Sequence, residues 1–333
     1  MALSESRLGQ AAGAGDVNAL FLKQFAGEVI TAFETANVMM PLHVVRTISS
    51  GKTAQFPVIG TAEAKYHTAG NSIIEDETRA AVEHNERVIG IDDLLVSAAF
   101  IDSLDEAKNH YDFRSEYTRK LGYALAKKAD EQLLSVVQVA SEASAAAPQG
   151  AGGGDVEIDG TYGSTAAIPS AKLISAMFDC AVKLDEANVP DTDRFVILGP
   201  QAYYNLLSNG TDGFDVAKTV ANSDIGGTGF GSGRVPMVAG FEIYKSNNLP
   251  TSGAAGDSQE AGVSSSNDYT ADSGGLKGVA FHRSAVGTVK LKDMALESEY
   301  QIERQGTLMV AKYALGHGTL RPEAAATIKL SAS

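Results

Sequence analysis

The chain has a single cysteine, Cys180, so an intrachain disulfide framework is excluded and folding in a reducing cytosol is expected. That cysteine lies in residues 172–186, where Ile174, Met177, Ala181 and Leu184 recur on one helical face. It reads as a small core residue rather than a reactive thiol. Basic side chains are scarce: 27 Lys and Arg stand against 41 Asp and Glu, a formal net charge of −14. Such a chain repels polyphosphate at long range and lacks the basic stripe of a nucleic-acid binder, so direct DNA or RNA binding is not expected. The same charge holds copies apart, so self-association must rest on shape and local contacts and should depend on salt. No apolar run approaches the ~18 to 20 residues of a membrane span. The first residues, Met-Ala-Leu-Ser-Glu-Ser-Arg, lack the basic flank and apolar stretch of a signal peptide. A soluble, unsecreted chain without a membrane partner is the expectation.

Recognisable reaction chemistry is also missing. Gly51-Lys52-Thr53 has the ending of a phosphate-binding loop, but Arg46 stands where the first glycine belongs, and the segment is not a strand-to-helix junction. The glycine-rich run at residues 226–233 completes no dinucleotide fingerprint, because Ser232 or Arg234 falls at the last glycine position. The six histidines, His43, His67, His84, His110, His282 and His317, are scattered without an i, i+4 pair, and each reads as structural. Asp92-Asp93 and Glu75-Asp76-Glu77 could hold a cation, although charge runs are usually solvated faces. No nucleophile elbow and no ordered Ser, His and Asp set is present. No catalytic residue, cofactor or metal is expected.

What is present is the composition of a folded protein, 44% hydrophobic and 20% charged, with a marked internal organisation. A Gly, Ala and Ser-rich start leads into an apolar helix candidate at residues 17–33. Residues 46–91 read as two strands around a polar excursion near residues 67–85, with Ile48, Phe56, Val58, Val88 and Ile91 as the apolar positions. A two-stranded ribbon has too little apolar surface to stand alone, so it must lie on another surface. Residues 61–110 hold eleven acids against four bases, which suggests basic groups on the receiving side. Residues 102–142 have helical spacing and little Gly or Pro, predicting one very long helix with a break near Asp112. A Gly/Ala linker at 145–163 marks a domain boundary. Alternating helix and strand then follow: helix 170–187, strand 194–198, helix 201–208 and strand 240–245. Gly/Ser-rich tracts at 225–234 and 251–275 interrupt them; 15 of the 25 residues in the second are Gly, Ala or Ser, so a mobile surface loop is expected. Strands at 279–282, 286–291, 296–304 and 307–314 should return to pair with elements laid down before the linker. With no chemistry and a ribbon that cannot stand alone, the chain reads as a subunit that assembles with copies of itself.

Several segments sharpen this. Phe281-His282-Arg283-Ser284-Ala285-Val286-Gly287-Thr288-Val289-Lys290-Leu291 resembles the C-terminal region of the major capsid protein of autographivirus-type, short-tailed (podovirus) bacteriophages. So does the stretch from Ala311-Lys312-Tyr313 through His317-Gly318-Thr319-Leu320-Arg321-Pro322 to Ala325. Ala19-Leu20-Phe21-Leu22-Lys23, Ile48-Ser49-Ser50-Gly51-Lys52, Gln55-Phe56-Pro57-Val58 and Asn109-His110-Tyr111-Asp112 through Thr118 match in family order. Residues 145–275 look divergent.

The resemblance implies an α+β chain of the Hong Kong 97-type capsid fold. It would have an N-terminal arm (1–45), an extended β-ribbon loop (46–95), a peripheral domain with a long spine helix (96–150 and 276–333) and an axial α/β domain (151–275). It further implies hexamers and pentamers closing an icosahedral shell around double-stranded DNA, which is enclosed without sequence-specific binding. Scaffolding and portal proteins are the implied partners during assembly in the host cytoplasm, with a decoration protein as a further candidate. The candidate contacts between subunits are Phe56, Glu75, Asp76, Glu77, Arg79 and Glu83 on the ribbon, with Arg283, Lys290 and Lys292 as a basic cluster. The alternatives are an encapsulin-like nanocompartment shell and an α/β enzyme centred on the second domain.

Overall fold

A computed structural model describes residues 37–60, 62, 64, 66–70, 72, 82, 84–104, 113–144, 152–158, 168–207, 237–250, 262–270 and 275–330. Among the described residues, twelve strands and three α-helices are delimited. In chain order they are β1 (Val44–Thr47), β2 (Thr53–Ile59), β3 (His84–Gly90), β4 (Leu95–Asp102), α1 (Phe113–Glu142), β5 (Gly154–Ile158), α2 (Ser170–Glu186), β6 (Arg194–Leu198), α3 (Pro200–Leu207), β7 (Met237–Val238), β8 (Phe241–Lys245), β9 (Leu276–His282), β10 (Val286–Gln301), β11 (Gly306–Thr319) and β12 (Ala325–Leu330).

They form three sheets. A six-stranded sheet has the order β5-β12-β9-β6-β8-β7, a four-stranded sheet the order β1-β10-β11-β4, and β2 with β3 makes a separate two-stranded ribbon. Strand β6 is a contiguous apolar run after Arg194, and all five of its residues are buried between β8 and β9. Helix α2 lays Leu173, Ile174, Met177, Cys180 and Leu184 on this sheet, the i, i+3, i+4 spacing read from the sequence. Burial pushes the Cys180 thiol up to about 12, so it packs as a small hydrophobe.

Helix α1 serves two cores. Its first half puts Leu121, Leu125 and Ala129 against Met309, Ala311, Tyr313 and Leu315 of β11. Its second half puts Leu133, Leu134, Val136, Val137 and Ala140 into the core of the six-stranded sheet. At ~1.5 Å per residue the helix is about 45 Å long. Its last turn is tied down by Lys329 of β12, which bridges Glu142 and Asp155, and by Ser141 bonding Thr327 at 3.2 Å.

The long helix follows its expectation over the described residues: Ser103 and Leu104, directly after β4, are helical and α1 runs Phe113–Glu142, while residues 105–112, with the expected break near Asp112, lie outside the described residues. Two expectations differ from what forms. The linker at 145–163 contains β5, whose Val156 and Ile158 are buried and which pairs in parallel with β12. Of the C-terminal strands, β10 and β11 do return to β1 and β4, but β9 pairs with β6 and β12. Its buried run Val279-Ala280-Phe281 suits a strand inside the six-stranded sheet, between β12 and β6, where it joins the main core.

Candidate assembly interface

The ribbon is antiparallel and in register from Thr53 opposite Gly90 to Ile59 opposite His84. Alternation buries Ala54 and Val58 and half-buries Phe56, whereas Thr53, Gln55, Pro57 and Ile59 face solvent. Its root packs through a small cluster of Ala54 and Ile89 with Val289 and Leu320 of the body. Glycines admit this approach. A Cβ on Gly316 would stand 1.8 Å from the Gly90 carbonyl oxygen, and one on Gly318 would stand 2.9 Å from Ile89. Away from the root the ribbon exposes Val88, and Ile59 at 61%.

Phe56 lies opposite Arg87, and the Arg46 guanidinium sits 5.4 Å from its ring centre while donating to the Gln55 carbonyl at 2.9 Å. Glu75, Asp76, Glu77, Arg79 and Glu83 lie outside the described residues. Arg283 is exposed in the turn between β9 and β10, and its backbone N–H donates to the Asp193 carbonyl. Lys290 is half-buried, 3.8 Å from Asp293 of its own strand and above the Tyr313 ring. Lys292 is exposed where the pairing of β10 with β11 shifts register on both sides of it. Lys290 and Lys292 thus flank a bulge, and both Lys290 and Arg283 place positive charge where it is felt at His43.

Beyond that bulge β10 changes character. Val286–Val289 are buried, and every residue from Lys292 to Tyr300 is exposed. β1 covers only Gly287–Lys290 of its outer edge. Met294, Leu296, Tyr300 and Ile302 are exposed here, as are Val96 and Phe100 on β4 and Tyr117 and Tyr123 on α1. These exposed apolar groups make this region a candidate for contact with other chains.

Polar groups at the ribbon root escaped the sequence reading. Asp92, read as one of a solvated pair, accepts from Asn267 at 2.7 Å, Ser264 N–H at 2.8 Å and the Tyr269 hydroxyl. Burial pushes its carboxyl above the usual range, against those hydrogen bonds, which pull it down. Asn267 and Tyr269 are buried, so this part of the tract expected to be a mobile loop is instead anchored. His317 is fully buried, and desolvation, with His43 beside it, takes its pKa down to about 3. The partners of Asp92 are 172 to 177 residues away in the chain, and no local spacing announces them.

A cavity of about 180 Å³ opens between the end of β6, α3 and β8, lined by Gly199, Gln201, Asn205, Ser246 and Asn247 among others. Lys277 is the one ionisable group in that lining, so the cavity does not gather an acid–base set. Among the described residues no cluster of three or more His, Cys, Asp or Glu is placed to hold a metal, and no helix is long and apolar enough to cross a membrane.

The same architecture is found in solved phage capsids. The capsid structure of cyanophage P-SCSP1u superposes with a TM-score of 0.80 at 38% identity over 99% of both chains. The mature capsid of bacteriophage PhiM1 superposes at 0.75 with 19% identity over 99% of this chain and 98% of that one, a likeness of fold. A body of two sheets joined by one long helix, with a ribbon projecting from it, defines a shell-forming capsid subunit of the Hong Kong 97-type fold, in the α+β class expected. In sequence, the major capsid protein of Escherichia phage T7 is 37% identical over 95% of this chain and 93% of its own length. That of Enterobacteria phage T3 is 38% identical over 97% and 94%. Residues 55–329 match the Gp10A-like major capsid protein family, and the chain belongs to it. It is a phage major capsid protein of the short-tailed type, many copies of which build the shell of the virion.

Proposed function

We propose that this subunit works through its interfaces alone, without a catalytic step, and that the ribbon makes the chief contact within a capsomer. The observation that carries this is the ribbon itself: it is seated at its root by Ala54 and Ile89 but exposes Val88 and Ile59 further out. A closed shell repeats one heterologous interface around each capsomer, so each ribbon can rest on the next copy. Many modest contacts then add up while each stays reversible enough for misplaced subunits to leave.

In this reading residues 1–45 are the arm, 46–95 the extended loop, 96–150 with 276–333 the peripheral domain, and 151–275 the axial domain, with β9 and β12 lending strands to the axial sheet. Hexamers and pentamers form an icosahedral shell in the host cytoplasm, around a scaffolding protein and on a portal. The shell then encloses double-stranded DNA without sequence-specific contact, and a decoration protein can bind outside. The net charge of −14 supports this, since packaged DNA should not adhere to the wall. Phe56, Glu75, Asp76, Glu77, Arg79 and Glu83 supply the ribbon side of the contact, and Arg283, Lys290 and Lys292 the basic side.

The test is deletion of residues 61–85 in a chain co-expressed with its scaffolding protein, read by electron microscopy. Broken or absent shells are expected, and normal shells would sink the proposal. Charge reversal at Lys292 should alter the salt dependence of assembly; an unchanged dependence removes the basic cluster from the contact.

A further inference from the structure

Two segments of the chain, residues 37–43 at the base of the arm and residues 84–92 at the base of the ribbon, are linked by a chain of buried hydrogen bonds. It starts on α1. Asp130, with no exposed surface, accepts from the Val38 and Met39 N–H groups at 3.2 and 2.9 Å and from Asn248 at 2.9 Å. The Met39 carbonyl meets Nδ1 of His43 at 2.8 Å. Nε2 of His43 meets the Thr288 hydroxyl of β10 at 2.5 Å, and that hydroxyl meets Nδ1 of His317 of β11 at 2.8 Å. The His317 N–H donates to the Tyr269 hydroxyl at 2.9 Å, and that hydroxyl donates to Asp92. Asn267 closes the far end by bonding Asp92 and both polar groups of Gly90, the last residue of β3.

The partners fix every proton. A carbonyl only accepts, so His43 carries its proton on Nδ1 and its Nε2 must accept from Thr288. The Thr288 oxygen is then the acceptor for an N–H on Nδ1 of His317. Nε2 of His317 is left as a bare lone pair, and it is buried without a partner among the described residues. Neither ring can be reversed alone without setting two donors or two acceptors against each other. Buried and directional in this way, the bonds reinforce one another, and loss of one member is felt along the row.

We propose that this chain makes the two roots one mechanical unit: the arm cannot work loose from α1, nor the ribbon shift on the long sheet, without loosening the other. The coupling is internal to the subunit and does not depend on which surfaces arm and ribbon meet in the shell.

Amide hydrogen exchange on the full chain, purified unassembled, tests it at three segments: residues 37–47, residues 84–92, and β6 as a control from the other sheet. Tyr269→Phe keeps the ring and removes the hydroxyl between Asp92 and His317. It should speed exchange about tenfold at 84–92, the scale of one lost hydrogen bond, and also at 37–47, with β6 unchanged. Thr288→Val cuts the row in the middle, so in that background Tyr269→Phe should act on 84–92 alone, whereas Thr288→Ser keeps the hydroxyl and should transmit as the parent does. If Thr288→Val does not fold, Asp130→Asn probes from the arm end and should speed exchange at 84–92. The proposal is overturned if Tyr269→Phe leaves 37–47 untouched, if it loosens β6 equally, if Thr288→Val and Thr288→Ser transmit alike, or if Asp130→Asn leaves 84–92 unchanged. Nitrogen-15 spectra should also show both histidines protonated on Nδ1; Nε2–H forms would break the row.

Discussion

Strand β6 and strand β10 show two ways of using apolar residues in one chain. All five residues of β6 are buried, and Phe241 and Phe281 of the sheet around it share one core with Leu173 and Met177 of α2, all within the subunit. β10 starts equally buried at Val286–Val289, then runs out exposed from Lys292, carrying Met294, Leu296 and Tyr300 into solvent. The first region is finished within the subunit, and the second, on the proposed function, is the part that meets neighbours. Apolar exposure that would be a liability in a monomer is the binding material of an assembling protein.

This contrast can be broken by experiment, starting where subunit stability should fall most. Phe281→Ala in the finished sheet should cost about 3–5 kcal/mol, measured by denaturant unfolding of the subunit; a loss under about 1 kcal/mol would mean that the six-stranded sheet is not the stabilising core. Next comes acid. The folded pKa of His317 lies near 3, below the ordinary 6.5, so under pH 6.5 the unfolded chain takes up a proton that the folded one refuses. Stability should therefore fall as pH drops from about 6.5 towards 3, by on the order of a few kcal/mol from this group. His43, also lowered by burial, acts in the same direction. Asp92, Asp130 and Glu323, raised by burial, act oppositely, since their folded forms bind protons before their unfolded forms do. Comparing urea midpoints against pH for the parent and His317→Gln isolates the histidine: the variant should have the shallower acid loss.

Gly316→Ala should cost less, about 1–3 kcal/mol, because the new methyl meets the Gly90 carbonyl and displaces the ribbon root rather than the main core. Circular dichroism should show a folded subunit while microscopy shows failed shells. Leu296→Ser with Ile302→Ser should change subunit stability least, within about 0.5 kcal/mol, yet reduce assembly. If those two variants unfolded the subunit instead, the division between finished and unfinished regions would be wrong.

The finished region was also the more legible one in the sequence. Arg194–Leu198 and the stripe on α2 announce themselves because each is buried by its own periodicity. β5 was hidden because Gly154-Asp155-Val156-Glu157-Ile158 sits in a glycine-rich stretch and gains its strand geometry from β12, about 170 residues later, as the Asp155 and Thr327 contact illustrates with its separation of 172. Composition misled at residues 262–270 for the same reason: Ser, Gly and Asn predict mobility unless a distant carboxylate such as Asp92 needs them. The ribbon was legible as two strands, but the row from Asp130 to Asp92 was not. Its closest approach of His43 to Thr288 spans 245 residues, and single polar side chains carry no periodic signal.

Helix α1 belongs to both cores, with Leu121, Leu125 and Ala129 gripped by β11 and Leu133 to Ala140 held by the other sheet. Such a rod is a lever. A tilt of about 5° at one end of a ~45 Å helix sweeps the other end through roughly 4 Å. That is enough to move a side chain out of one packing notch and into the next. Neither sheet can therefore shift independently of the other, and strain applied to β10 and β11 is delivered to the six-stranded sheet as rotation.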